Sequence, residues 1–181
     1  LDSDYEIIDL IKKSIDPTKG IPVYYIDKYL NKTKEIANNL LDISQKGKFA
    51  INFDINEKDF FIQVFKNNGD ILDDINEASQ GEIALTRLSL SLALMEQKIE
   101  ENNNCGYNII TMDEVDGALD STNRRYFIDT IEKQANILNS EQVFVISHNK
   151  EFENFDIDFL LLKGYDLDIT KKMKKNIILI K

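Results

Sequence analysis

The chain has 181 residues, 43% of them hydrophobic and 30% charged, with a formal net charge of −10. Those figures suit an ordinary globular domain with a sizeable core and argue against a broad nucleic-acid-gripping face on this piece alone. No apolar run reaches the length of a membrane span, no signal peptide opens the chain, and Cys105 is its one cysteine; the expectation is no membrane, no disulfide framework, and a reducing, cytoplasmic location.

The chain begins at Leu1 rather than Met, so a fragment of a longer protein is expected. Residues 5–19 follow a helical pattern, with Ile8, Ile11 and Ile15 at spacings of three and four. Asp16-Pro17-Thr18-Lys19-Gly20 ends it. A second helix is predicted over 21–41, with Pro22 in its first turn and Ile26, Tyr29, Leu30, Thr33, Ala37, Leu40 and Leu41 on one face. Two alternating runs follow, Phe49 to Ile55 and Phe60 to Phe65, joined by Asn56-Glu57-Lys58-Asp59; they read as an antiparallel hairpin or meander. Asn67-Asn68-Gly69-Asp70 is a turn.

Residues 79–98 predict a long helix, buried around nearly its whole circumference by residues from Ile83 to Met95 and interrupted by Thr86, Arg87, Ser89 and Ser91. Ser79 fits its N-cap, with Glu82 as the capping-box partner. The same turn, Ser79-Gln80-Gly81-Glu82, offers free backbone N–H groups and a glycine that permits close approach, which suits a phosphate. After a polar exit loop at 100–104, Asn108-Ile109-Ile110-Thr111-Met112-Asp113-Glu114 reads as a parallel-sheet strand buried on both faces and closed by two carboxylates. Acids at the carboxyl end of such a strand stand where open α/β sheets bind ligands. An acid pair there can divide two tasks, holding Mg²⁺ through its water shell and orienting an attacking water; two acids in a plain turn remain the bland alternative.

Val115-Asp116-Gly117-Ala118-Leu119-Asp120 is a loop, and Ser121 or Thr122 can cap a helix running to about Leu138. Val143-Phe144-Val145-Ile146 is a second buried strand, ending in Ser147-His148. His148 is the sole histidine; it lies at the sheet edge expected to hold Glu114, and there it can hydrogen-bond a terminal phosphate or the attacking water, although a lone histidine at a strand end is more often structural. Phe159 to Leu162 and Asn176 to Ile180 are late strands. Between them, 164–175 is expected to be a polar, exposed connector, and 151–175 carries no motif. There is no internal repeat.

The order of these features resembles the C-terminal half of an ABC-type ATPase head. Ala78-Ser79-Gln80-Gly81-Glu82 is similar to the signature motif, Ile109 to Glu114 to the Walker B strand with its catalytic glutamate, Gly117-Ala118-Leu119-Asp120 to the D-loop, and His148 to the switch histidine. Gln80 and Ala78 depart from the usual Gly and Leu. Within that superfamily, Lys19 to Leu30 followed by Glu35 to Leu41 resembles the segment where the returning coiled-coil arm enters the head of SbcC-type DNA-repair ATPases, relatives of SMC proteins. The resemblance implies an α/β fold: a mostly parallel sheet flanked by helices, an antiparallel hairpin, and the end of a coiled-coil arm over 1–20, with the lobe itself over 21–181. It implies ATP and Mg²⁺ as ligands. Asp113 would hold the metal, Glu114 and His148 would be catalytic, and Ser79, Gln80, Gly81, Glu82, Leu119 and Asp120 would contact nucleotide, the signature residues from the opposite head.

A P-loop is missing. The nearest imitation, Gly47-Lys48, has Asp42 in place of the first Gly and Phe49 in place of the Ser/Thr. ATP binding is therefore expected to need the N-terminal lobe of the same protein. Further partners implied are a second head, an SbcD-type nuclease, and DNA. The alternatives are an SMC-like ATPase that organises DNA without a nuclease, and a nonhydrolysing interaction module of the same shape. The entry segment disfavours a transporter ATPase.

Overall fold

The computed structural model describes residues 2–16, 20–55, 59–102, 105–149, 152, 158–163, 166–169 and 177–180. The predicted connectors at 17–19, 56–58, 103–104, 164–165 and 170–176 lie outside the described residues.

Helix α1 spans Asp2–Ser14 and α2 spans Ile21–Gln45, with a proline in its first turn. Helix α2 runs a turn past its expected end and stops where Lys46 and Gly47 both turn left-handed, at φ 53° and 72°. Its C-terminal half buries Thr33, Ala37, Leu40 and Leu41. Ile26, expected on the same face, is exposed, because the core begins only further along the helix. Strands β1 (Phe49–Ile55) and β2 (Phe60–Lys66) pair antiparallel as predicted, and the two-residue β3 (Ile71–Leu72) adds to β2. Gly69 sits in the β2–β3 turn at φ 94°, a conformation a side chain disfavours. Asn38 of α2 fastens the outer edge of β1: its side-chain amide donates to the Ile51 carbonyl at 2.9 Å and its oxygen accepts from the Ile51 N–H at 2.8 Å.

Helix α3 (Gln80–Glu101) packs on α2, and both enter one core with α4 and the strands. Leu85, Leu88 and Leu92 are among its buried residues, each worth about 1.5–3 kcal/mol of apolar burial. The expected all-round burial is corrected at four positions. Leu94 is 43% exposed, while Thr86, Ser89 and Gln97 are buried. Gln97 is buried because Thr33 of α2 donates to its oxygen at 2.6 Å, so a polar pair fills the α2–α3 contact.

The second sheet has the order β4-β5-β8-β6-β7. Strands β4 (Ile109–Asp113), β5 (Gln142–Ile146), β8 (Ile177–Ile180) and β6 (Asp158–Lys163) pair in parallel, and β7 (Asp166–Ile169) closes the far edge antiparallel to β6. This is the expected α/β lobe with a mostly parallel sheet. Strand β7 corrects the reading of 164–175 as a plain connector. Strand β4 is also corrected. It is an edge strand, and only Ile110 and Met112 are buried; Ile109, Thr111 and Asp113 face outward. With β5 on one side only and one face uncovered among the described residues, the apolar run is not buried on both faces. Among the described residues no helix is long and apolar enough to cross a membrane.

Candidate functional site

The parallel pairing of β4 and β5 sets Asp113 opposite Ile146, and the Glu114 N–H extends the ladder by donating to the Ile146 carbonyl at 2.9 Å. The two strand ends therefore emerge side by side. From β4 come Asp113 and Glu114; from β5 come Ser147 and His148. The left-handed backbone of Glu114, at φ 50°, turns its side chain off the strand line. Its Oε1 lies 2.7 Å from Nε2 of His148, and both side chains are largely exposed. The structure thus joins two residues that the sequence placed only at a common sheet edge. An imidazole on a carboxylate, open to solvent at the carboxyl end of a parallel sheet, can orient a water or hold a proton.

Asp113 is exposed beside them and has no hydrogen-bond or ion-pair partner among the described residues. No group of three or more metal-ligating side chains occurs among the described residues. This donor set does not make a protein cage of the kind Ca²⁺ or Zn²⁺ takes. It does fit Mg²⁺, which keeps several waters and uses one or two carboxylates with substrate phosphates.

The signature-like turn is built as read. Ser79 is the N-cap of α3, its Oγ accepts from the Glu82 N–H at 3.3 Å, and Glu82 Oε2 accepts from the Ser79 N–H at 2.9 Å. Lys66 of β2 adds an ion pair at 3.1 Å to Glu82 Oε1, which ties the first sheet to the helix start. Burial pushes the Glu82 carboxyl up, but the Ser79 hydrogen bonds and Lys66 more than reverse this and hold it below its ordinary value. Ser79 and Gln80 are exposed. Gly81 stands against the loop after β4: a Cβ there would lie 3.5 Å from the Ala118 carbonyl oxygen. Among the described residues no hydrogen bond or ion pair links Ser79, Gln80, Gly81 or Glu82 to Glu114 or His148.

In the loop that resembles a D-loop, one of the expected caps is corrected. Leu119 is only 3% exposed and belongs to the core. Asp120, not Ser121 or Thr122, caps α4 (Ser121–Ile137), accepting from the Asn123 N–H at 2.8 Å. Aspartate is among the best N-caps, and it stands one residue before the position chosen from the serine.

One group escaped sequence reading. Asp116 is 1% exposed, and its Oδ2 accepts from Ser147 Oγ at 2.8 Å and from the Asn149 side-chain amide. Arg124 Nε of α4 lies 3.8 Å from the same oxygen. The available signal was an aspartate two residues after Glu114 and polar residues on both sides of His148.

Comparison with known proteins bears on the fold. No protein-family profile matches the chain, and no curated protein matches it in sequence. Solved structures do match. One is an SMC ATPase from work on ATP-driven dimerization and DNA-stimulated activation, 17% identical, covering 81% of this chain and 86% of that one, with a TM-score of 0.61. This is the fold of an SMC head's C-terminal lobe. The Pyrococcus furiosus Smc head with an extended coiled coil, bound to the C-terminal domain of ScpA, is 21% identical over 69% of this chain, with a TM-score of 0.51. An Smc head bound to the C-terminal winged-helix domain of ScpA is also 21% identical, over 78% of this chain, with a TM-score of 0.51. This chain spans 30% and 41% of those two larger SMC structures.

Proposed function

We propose that this chain is the C-terminal lobe of an ATP-hydrolysing, SMC-like head, active once a P-loop-bearing lobe completes it. The observation that carries the reading is the Glu114–His148 contact at 2.7 Å across the ends of two adjacent parallel strands. In this reading Glu114 orients the attacking water and takes its proton, and His148 holds the Glu114 carboxylate in place. Asp113 would hold Mg²⁺ through its water shell, and the bound ion would neutralise charge on the transferring phosphoryl group. The Ser79–Gly81 turn, exposed at Ser79 and Gln80, would meet a nucleotide held by a second head, so that ATP joins two heads and hydrolysis parts them. That is a population shift driven by preferential binding to the engaged state.

Residues 1–20 would end a coiled-coil arm. Helix α1 supports this, since its Ile8 and Ile11 are half exposed and neither joins the core cluster of the described residues. The resemblance over 19–41 favours an SbcC-type repair protein working with an SbcD-type nuclease on DNA. The likeness to SMC heads, two of them solved with a ScpA domain, favours an SMC-like organiser with a different partner. Co-purification with a nuclease, against a winged-helix partner, separates the two.

The test joins this chain to its P-loop lobe and measures ATP turnover. Glu114→Gln is expected to lower kcat about 100-fold or more, with longer-lived ATP-dependent dimers. Wild-type turnover in that variant would overturn the assignment. Ser79→Arg is expected to block head engagement while single heads still bind ATP.

A further inference from the structure

We infer that Asp116 is a positioning residue that clamps the His148 segment and so sets the Glu114–His148 contact; this rests on the hydrolytic reading above only for its consequence in turnover. The argument begins with His148 itself. Its side chain is 80% exposed, so packing does not hold the imidazole. A freely rotating side chain would spend little of its time at 2.7 Å from one carboxylate oxygen, because an exposed ion pair must repay the side-chain entropy it costs.

The flanking residues supply what packing does not. Ser147, 1% exposed, donates to Asp116 Oδ2 at 2.8 Å and accepts the Asn149 N–H at 3.0 Å, and the Asn149 amide donates to that same Asp116 oxygen. The residues immediately before and after His148 are therefore pinned to one buried carboxylate. That carboxylate belongs to the loop that Glu114 begins, where the Gly117 N–H donates to the Glu114 carbonyl at 3.3 Å. One side chain thus fixes both backbones whose side chains meet. Charge-assisted hydrogen bonds are the stronger class, and Arg124 Nε at 3.8 Å offsets the buried charge. A plain structural role would need Asp116 to hold the loop together. It would not need both bonds to converge on the two neighbours of the sole histidine.

The experiment uses the tag-free 181-residue chain, whose single histidine gives an unambiguous imidazole ¹H–¹³C signal. Glu114→Ala supplies the reference position for an unpaired His148. Asp116→Ala is expected to move the signal to that reference, and Asp116→Asn, which keeps an acceptor oxygen, to restore most of the wild-type position. Ser147→Ala removes one of the two bonds to Asp116, together with the acceptor of the Asn149 N–H, with little volume change; it is expected to give an intermediate shift, which keeps the inference testable should Asp116→Ala not fold. In the completed head, Asp116→Ala is expected to lower kcat about tenfold with KM for ATP unchanged. An unmoved imidazole signal in folded Asp116→Ala or Ser147→Ala overturns the inference, as does a wild-type signal coincident with Glu114→Ala. A moved signal with wild-type turnover in Glu114→Gln leaves the clamp standing and removes the hydrolytic reading. An unmoved signal with Glu114→Gln inactive does the reverse.

Discussion

Removing the charge of Glu82 tests the joint between the first sheet and α3. Glu82→Gln keeps the shape of the side chain and one acceptor but ends the ion pair with Lys66, whose Nζ lies 3.1 Å from one carboxylate oxygen and 3.2 Å from the other. At that separation the gross attraction is about 5 kcal/mol for an effective dielectric of about 20. Desolvation and side-chain ordering consume most of it. Fully exposed pairs retain about 0.2–1 kcal/mol, and this pair, with side chains 27% and 22% exposed, belongs near the top of that range, at about 1 kcal/mol. Glu82→Ala also loses half of the capping box and should cost about 2 kcal/mol in all. A double-mutant cycle with Lys66→Met, read by urea denaturation, isolates the pair. The pH dependence has a fixed sign. The folded carboxyl lies below its ordinary value of 4.5, so its contribution is present above that value and is lost as pH falls through the lower folded-state value. A coupling under about 0.3 kcal/mol at neutral pH and low salt would refute the energetic role of the pair.

Two further outcomes follow from the core and the first sheet. Phe127 is fully buried and meets Phe152 edge-on at 6.2 Å; Phe127→Ala should cost about 3–5 kcal/mol in a denaturation experiment, and a loss under about 1 kcal/mol would mean the aromatic pair does not anchor α4. Asn38→Ala strips the Ile51 N–H and carbonyl of their side-chain partner, so a loss of about 1–3 kcal/mol and faster hydrogen exchange at the Ile51 amide are expected; unchanged exchange would contradict the fastening of β1 to α2.

The elements whose signal is local were legible in the sequence. The capping box at Ser79 and Glu82, the 49–66 hairpin and the two strands ending in Glu114 and His148 all depend on residues a few positions apart. Misreadings came where a distant neighbour decides. Strand β4 looked buried on both faces because Ile109 and Ile110 are equally apolar, yet burial is decided by what lies beside the strand, and β4 is at the edge. Strand β7, with the sequence Asp166-Leu167-Asp168-Ile169, carries too few apolar residues to announce itself and exists by pairing with β6. Gln97 was unreadable as a core residue because its partner, Thr33, lies on another helix. The candidate site divides in the same way. Its exposed members, Asp113, Glu114 and His148, stood out by residue type at strand ends. Asp116 did not, because its partners Ser147 and Asn149 lie more than thirty residues downstream.

The φ of 50° at Glu114 has an evolutionary corollary. Left-handed backbone costs a residue with a Cβ about 1 kcal/mol or more, and glycine or asparagine bears it with less strain. Glutamate at this position is therefore locally the poorer choice for folding. In a lineage released from the need for that carboxylate, drift at position 114 would run downhill towards Gly or Asn. If Glu114 has the hydrolytic role proposed above, a degenerate copy of this lobe should betray itself there first, gaining stability as it loses that role.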